Sequence, residues 1–425
     1  MKRTINIFIL SLASMAATAQ TPWTLDSCIS YAVSHANSVR RSQEELTQSR
    51  YDARTAVLDF LPTVSGQVSG QYAWGRNVDP ETNTYNTITT FNNYYSVGAE
   101  VTLFDGGRTL NAFRRAKNAR AQAATALQKA ADDKALTVMT KFVDAIYNQK
   151  SVALAEEKLA DSRALLLKTQ RLFELGEKSR PDVAQMESQV AEDDYNLLHQ
   201  QNQARLALMA LKSEMNYPVT DTLCLTDEAP AGTWEAAGRG QLSVEVEEQK
   251  VKDLRYAWLE AKGNLLPSLT LGGGVQTNYY RNLSQGSGKA DGFGTQIDNN
   301  LGEYVYLSLS IPLFTPSRWR SARKAKSEWR KAQLDLDDAR RKLSDDRAQA
   351  QADLAGYRRE VVQMERKVAA DSLAYHLSSR KFEEGMLSTF DLHTASQTLL
   401  ESRIKLLQSR LLLVMKRRLV EYLGQ

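Results

Sequence analysis

Two serine and aspartate pairs, Ser179 with Asp182 and Ser388 with Asp391, carry the most distinctive chemistry in this 425-residue sequence. Each pair follows a glycine, in Gly176-Glu177-Lys178-Ser179-Arg180-Pro181-Asp182 and again in Gly385-Met386-Leu387-Ser388-Thr389-Phe390-Asp391. A glycine can take the left-handed conformation that ends a helix. A serine then caps the next helix, and an acid three residues on completes a capping box near the positive end of the helix dipole. Both segments therefore read as tight turns between two helices. Each leaves one carboxylate at a fixed place, and a carboxylate so placed attracts cations without breaking bonds.

Bond-breaking chemistry has no comparable signature. Gly-x-Ser-x-Gly, Gly-x-x-x-x-Gly-Lys and His-Glu-x-x-His patterns are missing. The four histidines, His35, His199, His376 and His393, fall at spacings that do not favour a metal and read as helix-surface residues. Two cysteines, Cys28 and Cys224, exclude a disulfide scaffold or a Cys-rich metal site and read as unpaired, partly buried thiols. Most carboxylates stand three or four residues from a Lys or Arg, an arrangement that supports helices. No catalytic group, metal or cofactor is expected, and the chain does not read as an enzyme. The 54 basic and 50 acidic side chains are interspersed, with a net charge of +4, so a nucleic-acid surface is not indicated. Basic residues do gather at Arg108, Arg114 and Arg115, and again at Arg318, Arg320 and Arg323. They read either as a solvated helix face or as contacts to anionic lipid headgroups, worth about 1 kcal/mol per basic group.

The elements that must position these groups are unusual. Residues 108–175 contain neither Gly nor Pro, and 317–387 are interrupted only by Gly356 and Gly385. An unbroken helix of that length reaches roughly 100 Å, deeper than a compact core. The chain is also built twice from one plan. Leu61-Pro62 corresponds to Leu266-Pro267, Leu103-Phe104 to Leu313-Phe314, Tyr147 to Tyr357, and Phe173 to Phe382, at offsets of 205 to 210 residues. So long a period means two sizeable units and excludes a short-repeat solenoid.

Before each long helix the sequence alternates. Val68, Tyr72 and Trp74 share a face with Gly66 and Gly70, opposite Ser65, Gln67, Ser69 and Gln71; Tyr95 to Leu103, Leu269 to Val275 and Val305 to Ile311 alternate likewise. Each run is about ten residues, the length of a tilted strand crossing a bilayer, with aromatics crowded at the ends. A soluble antiparallel sheet with one wet face fits the alternation alone equally well. The loops are expected near Asn77 to Asn92 and Arg281 to Asn300. Two hairpins make four strands, too few to close, and an open edge is not tolerated in lipid. Three copies would give twelve strands, an even number compatible with a closed barrel, and Asp182 and Asp391 would then each recur three times at one tip.

The boundaries follow. Residues 1–19 read as a secretory signal, with Lys2 and Arg3, an apolar run, and small residues before Gln20. Residues 20–216 form a first repeat with a hairpin at 62–104, 217–240 an equatorial side segment, and 241–425 a second repeat with a hairpin at 267–314. No later stretch approaches the roughly 20 apolar residues a spanning helix needs.

With these features in order, the chain resembles the TolC-like outer-membrane efflux family. The residues that carry the resemblance are Thr24-Leu25 through Ala32 and Asn37, the Leu-Pro before each hairpin, Leu103-Phe104-Asp105-Gly106-Gly107, and Phe-x-x-Gly-x-x-Ser-x-x-Asp in both halves. The resemblance implies an α+β membrane protein in which four transmembrane strands per chain complete a twelve-stranded trimeric β-barrel above a long α-helical periplasmic barrel. It also implies an outer-membrane exit duct of a tripartite efflux pump or type I secretion system. The expected partners are two further copies in a homotrimer, a periplasmic adaptor (membrane fusion) protein, an inner-membrane transporter and outer-membrane lipid, in a Gram-negative bacterium. The family's tips are narrowed by acidic rings near the second turn. Asp391 matches the first such position and Asp182 is its counterpart, whereas the next is Thr394 and the basic residue before the serine is Leu387. A periplasmic coiled-coil adaptor is the competing reading; it requires no strands after each Leu-Pro.

Overall fold

A computed structural model describes residues 22–79, 83–226, 238–284 and 291–424. The signal sequence expected over 1–19, and residues 227–237 of the side segment, lie outside these. In chain order the helices are α1 (Leu25–His35), α2 (Asn37–Thr55), α3 (Arg108–Glu174), α4 (Arg180–Met215), α5 (Leu242–Gly263), α6 (Phe293–Asn299), α7 (Pro316–Glu383) and α8 (Thr389–Leu423). Strands β1 (Thr63–Asp79) and β2 (Thr84–Phe104) precede α3, and β3 (Ser268–Asn282) and β4 (Gly302–Ser310) precede α7. The long helices α3 and α7 have 67 and 68 residues. The chain forms two compact units that cut across its sequence halves, each drawing on both repeats.

The strand unit comprises Arg41–Ala130 and Gly240–Asp345. Its sheet is antiparallel throughout, in the order β1-β2-β3-β4, so β1 and β4 are open edges. Period-2 alternation sorts the side chains by face. Val64, Val68 and Tyr72 of β1 lie beside Ala99, Tyr95 and Phe91 of β2, and Leu269, Leu271 and Gly273 of β3 beside Leu309, Leu307 and Val305 of β4. This face is apolar yet largely bare, with Val68 74% exposed and Val305 81%, and Phe293 of α6 covers it only at Tyr95 and Tyr279. An uncovered apolar sheet of this extent is a binding surface, not a soluble one. Beneath the strands, Arg115 of α3 pairs with Asp253 of α5 at 3.2 Å, Lys250 of α5 with Asp335 of α7 at 3.1 Å, and Trp258 stacks on Trp329 with centroids 5.3 Å apart.

The hairpins depart from the expected ten-residue runs. Strands β1 and β2 have 17 and 21 residues, and Asp79 still pairs with Thr84. Of the loop expected near Asn77 to Asn92, residues 77–79 and 84–92 are therefore strand, because Tyr85, Thr87, Thr89 and Phe91 keep the alternation and find partners at Val78, Arg76, Trp74 and Tyr72. In the second hairpin the segment between Arg281 and Asn300 contains α6. Gln296 bonds the backbone of Tyr280 in both directions at 3.0 Å, and Thr277 Oγ1 donates to the Ile297 carbonyl at 2.7 Å.

The turn unit comprises the chain before Arg41, Ala131–Arg239 and Asp346 onward. Its core joins Leu25, Cys28 and Ala32 of α1 to Val138, Met139, Phe142 and Ile146 of α3, Leu211 and Met215 of α4, and Leu223. Trp23 binds the side segment, its N–H donating to the Cys224 carbonyl at 2.7 Å while Thr226 N–H donates back at 3.0 Å. Cys28 is fully buried, Cys224 is exposed, and no disulfide joins them, so the expectation of two partly buried thiols holds for neither. Farther along α3 the buried positions Ser151, Ala155, Lys158, Ser162 and Thr169 follow a heptad spacing, the pattern of coiled-coil packing. Among the described residues no helix is long and apolar enough to cross a membrane.

Candidate functional site

Both glycine turns fold as local chemistry dictates. Gly176 has φ +81° and Gly385 φ +72°, conformations that a side chain resists. At the first turn Gly176 N–H donates to the Phe173 carbonyl at 2.9 Å and Glu177 N–H to Leu172 at 2.8 Å; at the second, Gly385 donates to Phe382 at 3.1 Å and Met386 to Lys381 at 2.9 Å. These paired bonds are the Schellman closure of a helix end. Pro181 stands in the first turn of α4, where its missing N–H costs nothing.

The two acids differ in their surroundings. Asp182 Oδ2 accepts from Ser179 Oγ at 2.6 Å and Ser179 N–H at 3.0 Å, while Oδ1 accepts from Thr389 Oγ1 of the second turn at 3.4 Å. Hydrogen bonds from the Ser179 side chain, then its backbone, hold the Asp182 carboxyl below the usual carboxylate range. Asp391 is exposed and, among the described residues, is met by Ser388 alone, whose Oγ donates to it at 2.6 Å and accepts from its N–H at 3.1 Å. Sequence equivalence thus gives one acid that ties two turns together and one that is left exposed. Phe382, 1% exposed, packs between the turns with Lys178 Nζ 4.6 Å from its ring centroid, and Lys168 pairs with Glu383 at 3.0 Å.

A polar layer not foreseen from the sequence follows about two to four turns inward along the same helices. Lys158, 7% exposed, donates to Ser396 Oγ at 2.5 Å. Asp193, 3% exposed, accepts from Ser162 Oγ at 2.5 Å and Gln189 Nε2 at 2.9 Å. Burial pushes the Lys158 amine below its ordinary range against the pull of Asp193, Asp161 and Glu192. His393 is not the surface residue expected: its Nδ1 is buried without a hydrogen-bond partner, and burial, then Lys158, lowers its pKa. Such a layer inside a coiled coil fixes register at some cost in stability. Its only sequence signal is the polar character of Lys158, Ser162 and Thr169 on the buried stripe of α3.

The six arginines considered for lipid contact do not form one uniform patch. Arg108 donates to Asn264 Oδ1 at 3.4 Å and lies 3.6 Å from Asp105; Arg115 pairs with Asp253; Arg318 donates to the Asn264 carbonyl at 2.9 Å. Arg114, Arg320 and Arg323 are exposed, with no ion pair among the described residues. No cluster of metal-ligating side chains occurs among the described residues.

Comparison with known proteins agrees with this architecture. The family model described as outer membrane efflux protein matches residues 28–216 and 240–425. Among solved structures, the chain resembles the outer membrane protein VceC from Vibrio cholerae at 15% identity, covering 94% of this chain and 96% of that one, with a TM-score of 0.81. It resembles the Campylobacter jejuni CmeC outer membrane channel at 13% identity, covering 94% and 85%, with a TM-score of 0.80. The open state of the Neisseria gonorrhoeae MtrE outer membrane channel is similar at 17% identity, covering 94% and 89%, with a TM-score of 0.73. No curated protein matches the sequence. Long helices broken by Schellman turns, one four-stranded sheet with a bare apolar face, and a family match across both halves place this chain in the outer membrane efflux protein family.

Proposed function

We propose that three copies of this chain close a twelve-stranded barrel in the outer membrane, continued by their helices as a passive exit duct for a tripartite pump or a type I secretion system. The observation that carries this reading is the sheet, bare and apolar on one face with both edges open. Lipid accepts the apolar face and rejects the edges, so closure by further copies satisfies both. The polar face then lines a water-filled bore.

At the turns, Asp391 is read as lining the constriction, since it is exposed and only singly engaged, and Asp182 as a latch between the two hairpins of one chain through Thr389. Arg114, Arg320 and Arg323 remain the groups suited to lipid headgroups, because nothing internal neutralises them among the described residues. A periplasmic adaptor and an inner-membrane transporter complete the path. Conductance in planar bilayers tests the reading: purified protein should run as a heat-modifiable trimer and pass ions, and Asp391→Ala should raise conductance. A monomer that is soluble without detergent would sink it.

A further inference from the structure

We infer that Glu100, with Tyr304 and Tyr306, forms a site for organic cations on the polar face of the sheet. The register sets out two rows. Glu100 of β2 pairs with Gly272 of β3, which pairs with Tyr306 of β4; the next row runs Gly98, Gly274, Tyr304. Each tyrosine thus has a glycine as its cross-strand neighbour, and its ring lies down across that strand. A Cβ on Gly272 would stand 2.4 Å from Tyr306 Cζ; one on Gly98 or Gly274 would stand 3.0 or 3.1 Å from Tyr304 Oη. The two rings are near parallel, 15° apart with centroids 6.2 Å from each other. One face of each rests over glycine backbone, leaving Tyr306 41% exposed and Tyr304 part-exposed.

The Tyr306 hydroxyl reaches past Gly272 and donates to Glu100 Oε2 at 2.8 Å. Glu100 is exposed, its other oxygen has no partner, and no Lys or Arg pairs with it among the described residues. A fixed, uncompensated carboxylate beside one exposed and one part-exposed aromatic ring is the arrangement that holds a substituted ammonium ion, by charge at one end and by cation–π attraction along the rings. The inference rests on the duct reading, which turns this face toward the bore and repeats the site three times. It adds a chemical preference to the outer half of the path, independent of the acids at the turns.

The test uses the full chain, reconstituted in planar bilayers, with benzyltrimethylammonium added to the compartment facing the strands. Native channels should be blocked, and Glu100→Gln and Tyr304→Leu should each raise the half-blocking concentration at least about fivefold. Glu100→Gln should also lower the K⁺ to Cl⁻ permeability ratio roughly twofold or more, as loss of a bore charge predicts. Ion-passing steps from each variant report its assembly. If Glu100→Gln fails to assemble, block of Tyr304→Leu decides. Conducting channels that are not blocked, or are blocked equally in native and variant forms, overturn the site and leave the duct standing. Native protein that neither trimerises nor conducts overturns both.

Discussion

Substitution of Gly106 by alanine should weaken the junction of β2 with α3 more than any other single methyl group added at a turn. Gly106 has φ +70°, so any side chain there costs about 1–2 kcal/mol in backbone strain. A Cβ would also stand 2.5 Å from the Gly263 carbonyl oxygen and 2.8 Å from Leu266 Cβ. The first obstacle is backbone at the end of α5 and cannot rotate away, so overpacking adds about 1–3 kcal/mol. The sum, about 2–5 kcal/mol, contrasts with two internal controls. Gly107 at φ +80° meets only Asn111 Nδ2 at 3.6 Å, and Gly176 at φ +81° meets nothing within 4 Å; Gly107→Ala and Gly176→Ala should cost only the strain. Thermal dissociation of the detergent-purified assembly, followed by helix signal and by gel mobility, should therefore rank Gly106→Ala well below both controls. Equal transitions for Gly106→Ala and Gly107→Ala would refute the claim that close backbone approach holds this junction.

Thr389→Val removes the one hydroxyl that joins the second turn to Asp182 while keeping its shape, and single-channel recordings should show more frequent opening; Asp182→Asn should act in the same direction. The imidazole of His393 is faced by Lys158 and Asp161 of α3, Gln189, Glu192 and Asp193 of α4 and Tyr375 of α7. Its folded pKa lies below the unfolded one, so the unfolded chain binds more protons, and stability falls as pH drops below about 6.5. Melting curves between pH 7.5 and 5.5 should show that fall, and His393→Gln should flatten it. Burial pushes the Cys28 thiol up to about 12, so maleimide should label Cys224 in the folded protein and Cys28 only after denaturation, as counted by mass spectrometry.

Residues whose structure is set by near neighbours were readable in the sequence. Gly176 and Gly385 announce their turns because the left-handed residue, the cap and the acid lie within seven positions. The bare strands were readable for the same reason, since Val64, Val68 and Tyr72 need only alternate. The length of the first hairpin was not. Asn77, Asn86 and Asn92 speak locally for a loop, and only pairing of Tyr85 with Val78 and Phe91 with Tyr72 shows that they are strand. The break at Ala36 between α1 and α2 likewise carries no Gly or Pro to mark it. The buried layer was hidden most completely, because Lys158 and Ser396 are 238 residues apart in sequence. Nor could the repeat reveal that Asp182 and Asp391 differ, since the bonds from Thr389 and from the Ser179 N–H that set Asp182 apart are formed only in the fold.

The unequal strands have a geometric consequence for the outer surface. Pairing of β4 stops at Gly302 opposite Gln276, β3 continues to Asn282, and the first hairpin climbs on to Asp79 and Thr84. In the proposed ring of three the rim would be uneven, each two-stranded blade of β1 and β2 standing above the end of β3, where α6 is bonded to Tyr280 and Thr277. Antibodies or phage arriving from outside such a ring would meet the blades first.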